Sequence, residues 1–102
     1  MTYEEKLQRF AHLLQTSRRE RYMRRGNSPQ FIDKECAVHV RPGKKYTKVD
    51  VGSSGVYMVD LEGNIFGIKA YGVIHRGHYY GTLDTVDQWN WGGYRAGKVG
   101  TA

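Results

Sequence analysis

Arginine is concentrated in residues 18–25, where five arginines and one glutamate give a net charge of +4. The guanidinium group is a planar array of N–H donors that matches phosphate and carboxylate oxygens. Each phosphate that it neutralises also releases counterions. A tyrosine inside this stretch would stack on a base or ribose, whereas the alternative interpretation is a solvated helix end with Glu20 as a local partner. The predicted anion-binding residues are Arg18, Arg19, Arg21, Tyr22, Arg24 and Arg25, with Lys44 and Lys45 as a second cationic point.

Two short pairs contain residue types that bind zinc, Cys36 with His39 and His75 with His78. Each pair has two residues between its members, a spacing compatible with zinc. However, the 35 residues between the pairs exceed the linker of a compact zinc knuckle, and Arg76 adds a cation between the two histidines. These histidines could instead bind a phosphate with Arg76 or cap a loop. We therefore predict no metal and no other cofactor.

Catalytic patterns are weak. Asp84 and Asp87 would share a helical face, but no neighbouring residue activates a nucleophile, and Asp84 is better explained as a helix cap. Ser53 and Ser54 stand between glycines in a hairpin turn and lack the strand–turn–helix context of a nucleophile elbow. The sequence therefore predicts a protein that is not an enzyme.

The positive charge is confined to one part of the chain. Residues 1–45 contain eleven Lys and Arg against five Asp and Glu, which accounts for the whole net charge of +6. The other 57 residues contain five of each sign.

The length of 102 residues predicts a single domain, 1–102. Without an apolar run of about 18 residues or a signal-peptide core, and with Cys36 as the one cysteine, we expect a cytoplasmic protein that does not enter membranes.

The chain begins with the signature of a helix. Thr2 is a good N-cap, and Glu5 stands three residues later, as in a capping box. One apolar face follows at helical spacing, formed by Tyr3, Leu7, Phe10, Ala11 and Leu14.

Beyond Leu14 this face becomes cationic, because Arg18, Arg21 and Arg25 lie on the same side at about 100° per residue. Either the helix stops near Thr16–Ser17, or it projects past the body and presents these arginines to an anion. Residues 26–29, Gly-Asn-Ser-Pro, then end any helix.

From residue 36 the apolar pattern alternates, which predicts strands. We expect short strands near residues 37–40, 46–51, 56–61 and 65–70, joined by glycine-containing turns, while residues 71–81 remain unassigned. Asp84 would cap a helical turn through Gln88, and residues 95–102 would be a loose tail. The predicted fold is α+β: a helix with a basic end (1–25) packed on an antiparallel meander of three to four strands in a β-rich body (36–94). In its core, Leu7, Phe10 and Leu14 should meet Val49, Val51 and the inward side chains of 56–61.

Nine aromatic residues lie between Tyr46 and Tyr94. Exposed on a sheet, with Lys48 and Lys69 nearby, residues such as Tyr46 and Tyr57 would stack on bases. Three of the aromatics, Phe66, Trp89 and Trp91, are better explained as core. A possible protein interface comprises Tyr71, His75, Arg76, His78, Tyr79 and Tyr80.

Blocks within residues 40–94 resemble a group of small tailed-phage accessory proteins of uncharacterised function. The residues concerned are 43–49, 56–60, 63–69 and 80–91. They lie within residues 40–94, a stretch that makes up a little over half the chain and leaves out the N-terminal helix. The resemblance implies a phage-encoded accessory protein with a small β-rich fold, acting in the cytoplasm of the host cell. It transfers no active site.

These features favour a non-enzymatic binding protein that contacts nucleic-acid phosphates through its basic arm. No base-reading motif is visible, so we expect weak sequence preference. The alternative is an inhibitor or adaptor of a host protein complex, such as an anti-defence protein, that uses the aromatic, glycine-rich surface of residues 71–94. A structural protein of the virion is a third possibility, and the sequence leaves the oligomeric state open.

Overall fold

The computed structural model describes residues 1–92 and 96–98. Two helices come first in the chain and most of the strands follow. The elements are α1 (Tyr3–Arg24), α2 (Pro29–Glu35), β1 (Val38–Arg41), β2 (Tyr46–Val51), β3 (Ser54–Asp60), β4 (Asn64–Ala70), β5 (Val73–Thr82), a 3-10 helix (Leu83–Gln88), β6 (Trp89–Asn90) and β7 (Gly97–Lys98). No helix among the described residues is long and apolar enough to cross a membrane.

Helix α1 begins as the sequence predicts. The Thr2 hydroxyl accepts the Glu5 backbone N–H at 3.1 Å, and the Glu5 carboxylate accepts the Thr2 N–H at 3.3 Å. This reciprocal capping satisfies donors that have no partner within the helix. The predicted apolar face is buried at Leu7, Phe10 and Leu14.

The helix continues past Thr16–Ser17 to Arg24. Its second half does not project away from the body, because Arg18 and Arg21 bond to backbone carbonyls of residues 91 and 92. Gly26, with a φ of +78°, ends it as the sequence predicts, since few other residues adopt that backbone conformation.

A second helix, α2, was not predicted. Pro29 was interpreted only as a terminator of α1, but it occupies the first turn of α2, where its missing N–H is no loss. The Ser28 hydroxyl caps this helix by accepting the Phe31 N–H at 3.3 Å. An ion pair of 2.7 Å between Arg19 and Asp33 joins α2 to α1.

The main sheet is an antiparallel meander in the order β1-β2-β3-β4-β5. It has five strands rather than the three or four predicted, because residues left unassigned form the ten-residue strand β5. β5 bulges where it pairs with β4: Phe66 faces Tyr79, but the next residue, Gly67, faces His75. Strands β6 and β7 form a separate pair from residues 89–90 and 97–98. Of the predicted tail 95–102, residues 95 and 99–102 lie outside the described part of the chain.

The core lies between α1 and the inner face of the sheet, as expected. Leu7, Phe10 and Leu14 share one buried cluster with Val49 and Val51. Tyr57 and Trp91 belong to the same cluster, and the Trp91 ring meets Phe10 edge-on at 4.8 Å. The Trp91 indole N–H donates to the Val86 carbonyl at 2.9 Å.

The short helix after β5 is of the 3-10 type, and its cap differs from the prediction. Thr82, rather than Asp84, is its N-cap, since the Thr82 hydroxyl accepts the Asp84 N–H at 3.2 Å. Asp84 lies in the first turn and pairs with Lys6 at 2.8 Å. Asp87 pairs with Arg9 at 2.6 Å, so both carboxylates hold this helix against α1.

Candidate anion-binding site

Three arginines on one face of α1 surround a small concavity. Arg18, Arg21 and Arg25, together with Tyr22 and Gly92, line a depression of about 140 Å³, which we call the arginine concavity. This is the face that the sequence predicts, because the spacing of three and four residues continues that of the buried apolar residues.

No carboxylate within residues 1–92 and 96–98 forms an ion pair with these three arginines. Ion pairs among the described side chains involve other cations. Arg18 Nε donates to the Trp91 carbonyl and Arg21 Nη1 to the Gly92 carbonyl, each at 3.3 Å. A carbonyl orients a guanidinium group without cancelling its charge. The concavity therefore contains guanidinium groups that are oriented by backbone carbonyls, and their positive charge is not balanced by a described carboxylate.

The other predicted members of the cluster have different surroundings. Arg19 is paired with Asp33 across to α2, and Arg24 lies 3.8 Å from Glu20 on the surface. The Tyr22 ring packs edge-on against Phe31 at 5.8 Å, so it lines the concavity as part of the α1–α2 contact. The Arg19–Asp33 ion pair neutralises one of the positive charges that the sequence assigns to the site.

The second cationic point is remote from the first. Lys44 and Lys45 are exposed in the turn before β2. The next residues of β2 lie near the start of α1, where the Tyr3 hydroxyl is 3.3 Å from the Thr47 hydroxyl. Tyr3 and Arg21 are 18 residues apart on α1, or about 27 Å at 1.5 Å per residue. The two lysines therefore do not contribute to the arginine concavity.

The predicted interface residues 71–80 divide between the two faces of the sheet. Three of them, Tyr71, Arg76 and Tyr79, join Tyr46, Lys48 and Phe66 in an outer aromatic patch on the face opposite α1. Tyr80 lies on the inner side, where its ring meets Tyr57 edge-on at 5.4 Å. They do not form one continuous surface.

Cations lie over the rings of the outer aromatic patch. Lys48 Nζ is 4.9 Å from the Tyr71 ring centre, and the Arg76 guanidinium is 5.7 Å from that of Phe66. Arg76 also donates to the Tyr46 hydroxyl at 2.5 Å. Tyr57, expected from the sequence on an exposed stacking face with Tyr46, is instead buried on the inner side.

A larger depression, which we call the tyrosine cleft, opens between the second half of α1 and strands β3–β5. It measures about 330 Å³. Its lining includes Arg18 and Tyr22 from α1, and Tyr57, His78 and Tyr80 from the sheet. No sequence signal marks it, because it depends on which strands face the end of α1.

Tyr57 lines this cleft with its hydroxyl oxygen buried; the oxygen makes no hydrogen bond of ordinary length and angle with the described residues, although Arg18 lies near enough to act on it. Burial raises the pKa of Tyr57 to about 12, against the opposing effect of the nearby Arg18 charge. The phenol is therefore protonated at neutral pH and retains its capacity to donate.

The four residues considered as zinc ligands lie on different parts of the fold. Cys36 is buried at the end of α2, where burial raises the pKa of its thiol, and His39 is exposed on edge strand β1. His75 and His78 stack at 4.0 Å on β5, the opposite edge. Those edges are four strand spacings apart, about 19 Å. Within residues 1–92 and 96–98, no group of three or more His, Cys, Asp or Glu is arranged to hold a metal ion.

Comparison of the chain with protein-family models, with curated proteins and with solved structures found no match.

Proposed function

We propose that this protein is a non-enzymatic nucleic-acid-binding module that holds backbone phosphates in the arginine concavity. The observation that carries the proposal is the convergence of Arg18, Arg21 and Arg25 on one depression, with no carboxylate partner in the part of the chain that the structure describes. A phosphate there would receive charge-assisted hydrogen bonds from guanidinium groups, the strongest kind available to it. A phage-encoded origin and a host-cytoplasm location belong to the same proposal, and rest on the resemblance of residues 40–94 alone.

The surroundings of the site support backbone contact over base reading in a groove. Arg18 and Arg21 lie against the carbonyls of residues 91 and 92, so they are not presented on the free face of the helix as a recognition helix presents its base-reading residues. Phosphate contacts position a protein on nucleic acid but carry no sequence information. We therefore retain the expectation of weak sequence preference.

The test compares two double variants that remove the same charge. Arg21→Gln/Arg25→Gln alters the concavity, whereas Lys44→Gln/Lys45→Gln alters exposed lysines at the other end of α1. With a short single strand of mixed sequence, the slope of log affinity against log salt should shrink by about one to two for the arginine variant. The lysine variant should change it less.

Two results would contradict the proposal. A salt slope near zero for the unmodified protein would exclude binding through phosphates. Equal losses in the two variants would mean that total charge matters and that the arginine concavity is not the site. Unchanged melting temperatures for both variants are the control for folding.

The alternative function is an adaptor or inhibitor directed at a host protein complex. It is favoured by exposed apolar and aromatic side chains on edge strand β5 and in the turn before it, where Tyr71, Val73 and Tyr79 are each about half exposed. Tyrosine and arginine are the residue types that anchor protein interfaces. A stoichiometric protein partner that survives nuclease treatment, and is lost in Tyr71→Ala/Tyr79→Ala, would favour this function over nucleic-acid binding.

A further inference from the structure

Strand β1 is one edge of the main sheet, and half of its backbone groups face away from the sheet. In the strand order, β1 lies next to β2 alone. The Ala37 carbonyl accepts the N–H of Gly52, the residue after β2, at 2.8 Å, so the backbone at residue 37 faces β2. Successive residues of an antiparallel strand direct their backbone groups alternately to the two sides. The backbone groups of Val38 and Val40 therefore face outward.

A side chain from α1 already pairs with the start of this edge. The Val38 N–H donates to Gln15 Oε1 at 3.1 Å, so an amide oxygen stands where the carbonyl of a neighbouring strand would lie. The N–H and carbonyl of Val40, the next outward pair, have no such partner among the described residues. These groups are a template on which another extended chain can pair.

A depression lies between this edge and α1. It measures about 310 Å³ and is lined by Gln8 and Ala11 of α1 and by residues 38–41, and we call it the β1 groove. Val38 and Val40 pack against the core on this side of the sheet, whereas His39 and Arg41 are exposed. Because side chains alternate along a strand, a chain added to β1 would place every second side chain over the groove.

The end of β1 has uncompensated positive charge beside it. Lys44 and Lys45 are exposed in the turn that follows the strand, and neither forms an ion pair with a described carboxylate. Arg41, the last residue of β1, pairs at 2.9 Å with Asp50, which is buried. The α1 residues that line the groove are neutral. This end of the edge therefore favours an acidic partner over a basic one.

We propose that β1 binds an extended acidic segment of a partner protein, which joins the main sheet as a sixth, antiparallel strand. Antiparallel pairing is the more stable arrangement, and it places the start of the segment beside Lys44 and Lys45. Apolar side chains opposite Val38 and Val40 would enter the β1 groove, and acidic side chains between them would face outward beside the cations. Backbone hydrogen bonds would supply affinity, while the groove and the cations would supply specificity.

This site is separate from the surfaces discussed above. β1 and β5 are opposite edges of the sheet, and the two lysines do not contribute to the arginine concavity. The inference therefore goes beyond the proposed nucleic-acid function and does not depend on it.

Three short capped peptides test the chemistry of the segment. In the first, glutamate and valine alternate. The second has the same composition with the glutamates in one block and the valines in another, and the third has lysine in place of glutamate. We expect the alternating acidic peptide to bind at least about fivefold more tightly than either control, because only it pairs both faces correctly.

Amide hydrogen exchange followed by NMR tests the addition of a strand directly. The Val40 N–H should exchange more slowly in the complex, because a peptide carbonyl accepts it. The His39 N–H faces β2 and should change less. Val40→Pro removes the outward donor at a position where an edge strand tolerates proline. It should weaken peptide binding by about threefold to tenfold, the effect of one hydrogen bond, or by more.

Two double variants separate this site from the arginine concavity. Lys44→Gln/Lys45→Gln should weaken binding of the alternating acidic peptide and reduce its salt dependence. Arg21→Gln/Arg25→Gln removes the same charge elsewhere and should leave peptide binding unchanged. With the mixed single strand, the order of the two effects should be reversed. Failure of this inference is therefore distinguishable from failure of the proposed function.

Any of four results would overturn the inference. The first is no binding of the alternating peptide at up to about 1 mM. The second is equal binding of either control peptide. The third is unchanged exchange of the Val40 N–H in the complex. The fourth is an unmodified protein that forms a dimer, protects the Val40 N–H without peptide and loses the dimer in Val40→Pro, since the occupant of the edge would then be a second copy of the chain.

Discussion

The substitution Leu14→Ala tests whether α1 is part of the core, on which the arginine concavity and the cleft both depend. Leu14 is completely buried in the cluster that contains Val49 and Val51, and Arg18 follows one turn later. Truncating a fully buried leucine loses its transfer free energy and leaves a cavity, which together cost about 2–4 kcal/mol. At about 4–8 °C per kcal/mol for a domain of this size, the melting temperature should fall by about 10–25 °C.

Urea denaturation followed by circular dichroism would measure this loss, with two-state behaviour checked by a second probe. The matched control is Leu61→Ala, since Leu61 follows β3 and is 66% exposed. That variant should stay within about 0.5 kcal/mol of the unmodified protein. A loss below about 0.5 kcal/mol for Leu14→Ala would mean that α1 is detached from the sheet, and the reasoning about both sites would fail with it.

Three further predictions concern particular groups. The folded protein keeps the Tyr57 proton between pH 10, its ordinary pKa, and about 12. Its stability should therefore fall across that range by up to about 2–3 kcal/mol, and Tyr57→Phe should flatten the decline when unfolding is measured against pH. Gly81→Ala should destabilise more than Gly26→Ala in urea, although φ is +78° at both. A Cβ at Gly81 would lie 2.6 Å from Thr85 Oγ1 and 2.8 Å from Trp89 Nε1, whereas at Gly26 it would meet nothing within 4 Å. A chelator should leave the melting temperature unchanged, and a large decrease would reveal a structural metal.

Local patterns were sufficient to predict α1 and most of the sheet. The capping box at Thr2 and Glu5 involves residues three apart, and apolar or small residues recur at every second position of β2, at Thr47, Val49 and Val51. Patterns of this kind depend on neighbours in the chain. The contact of Leu14 with the inner face of the sheet could be predicted from these patterns, because a helix with one apolar face must bury it against the apolar face of the sheet.

Strand β5 and helix α2 were missed for different physical reasons. In β5, the bulge between His75 and Tyr79 interrupts the alternation that identifies a strand, so composition alone was ambiguous. In α2, Ser28 and Pro29 formed a legitimate start signal, but the same residues also end the preceding helix. The seven residues of α2 are too few to show a clear helical pattern. The sequence therefore does not distinguish the start of a second helix from the end of the first.

The two candidate sites differ in how far the sequence could predict them. Arg18, Arg21 and Arg25 were placed on one face by helical periodicity alone. Their lack of carboxylate partners, and the position of Tyr57 beneath Arg18, depend on strand order and on the path of residues 89–92. These contacts join residues far apart in the sequence, and no local pattern encodes them.

In the fold, positive charge without a described carboxylate partner on α1 is confined to a smaller region than the sequence alone indicates. The first 45 residues carry the whole surplus of six charges, but the two cations in the first half of α1 are paired with carboxylates from the C-terminal part of the chain. Asp84 and Asp87 fold back onto Lys6 and Arg9. Within the described residues, Arg18 and Arg21 of the concavity bond instead to carbonyl oxygens of that part of the chain. Carboxylates therefore pair with cations in the first half of α1, whereas in its second half and at its end Arg18, Arg21 and Arg25 have no carboxylate partner among the described residues. Such a local excess of positive charge attracts phosphate.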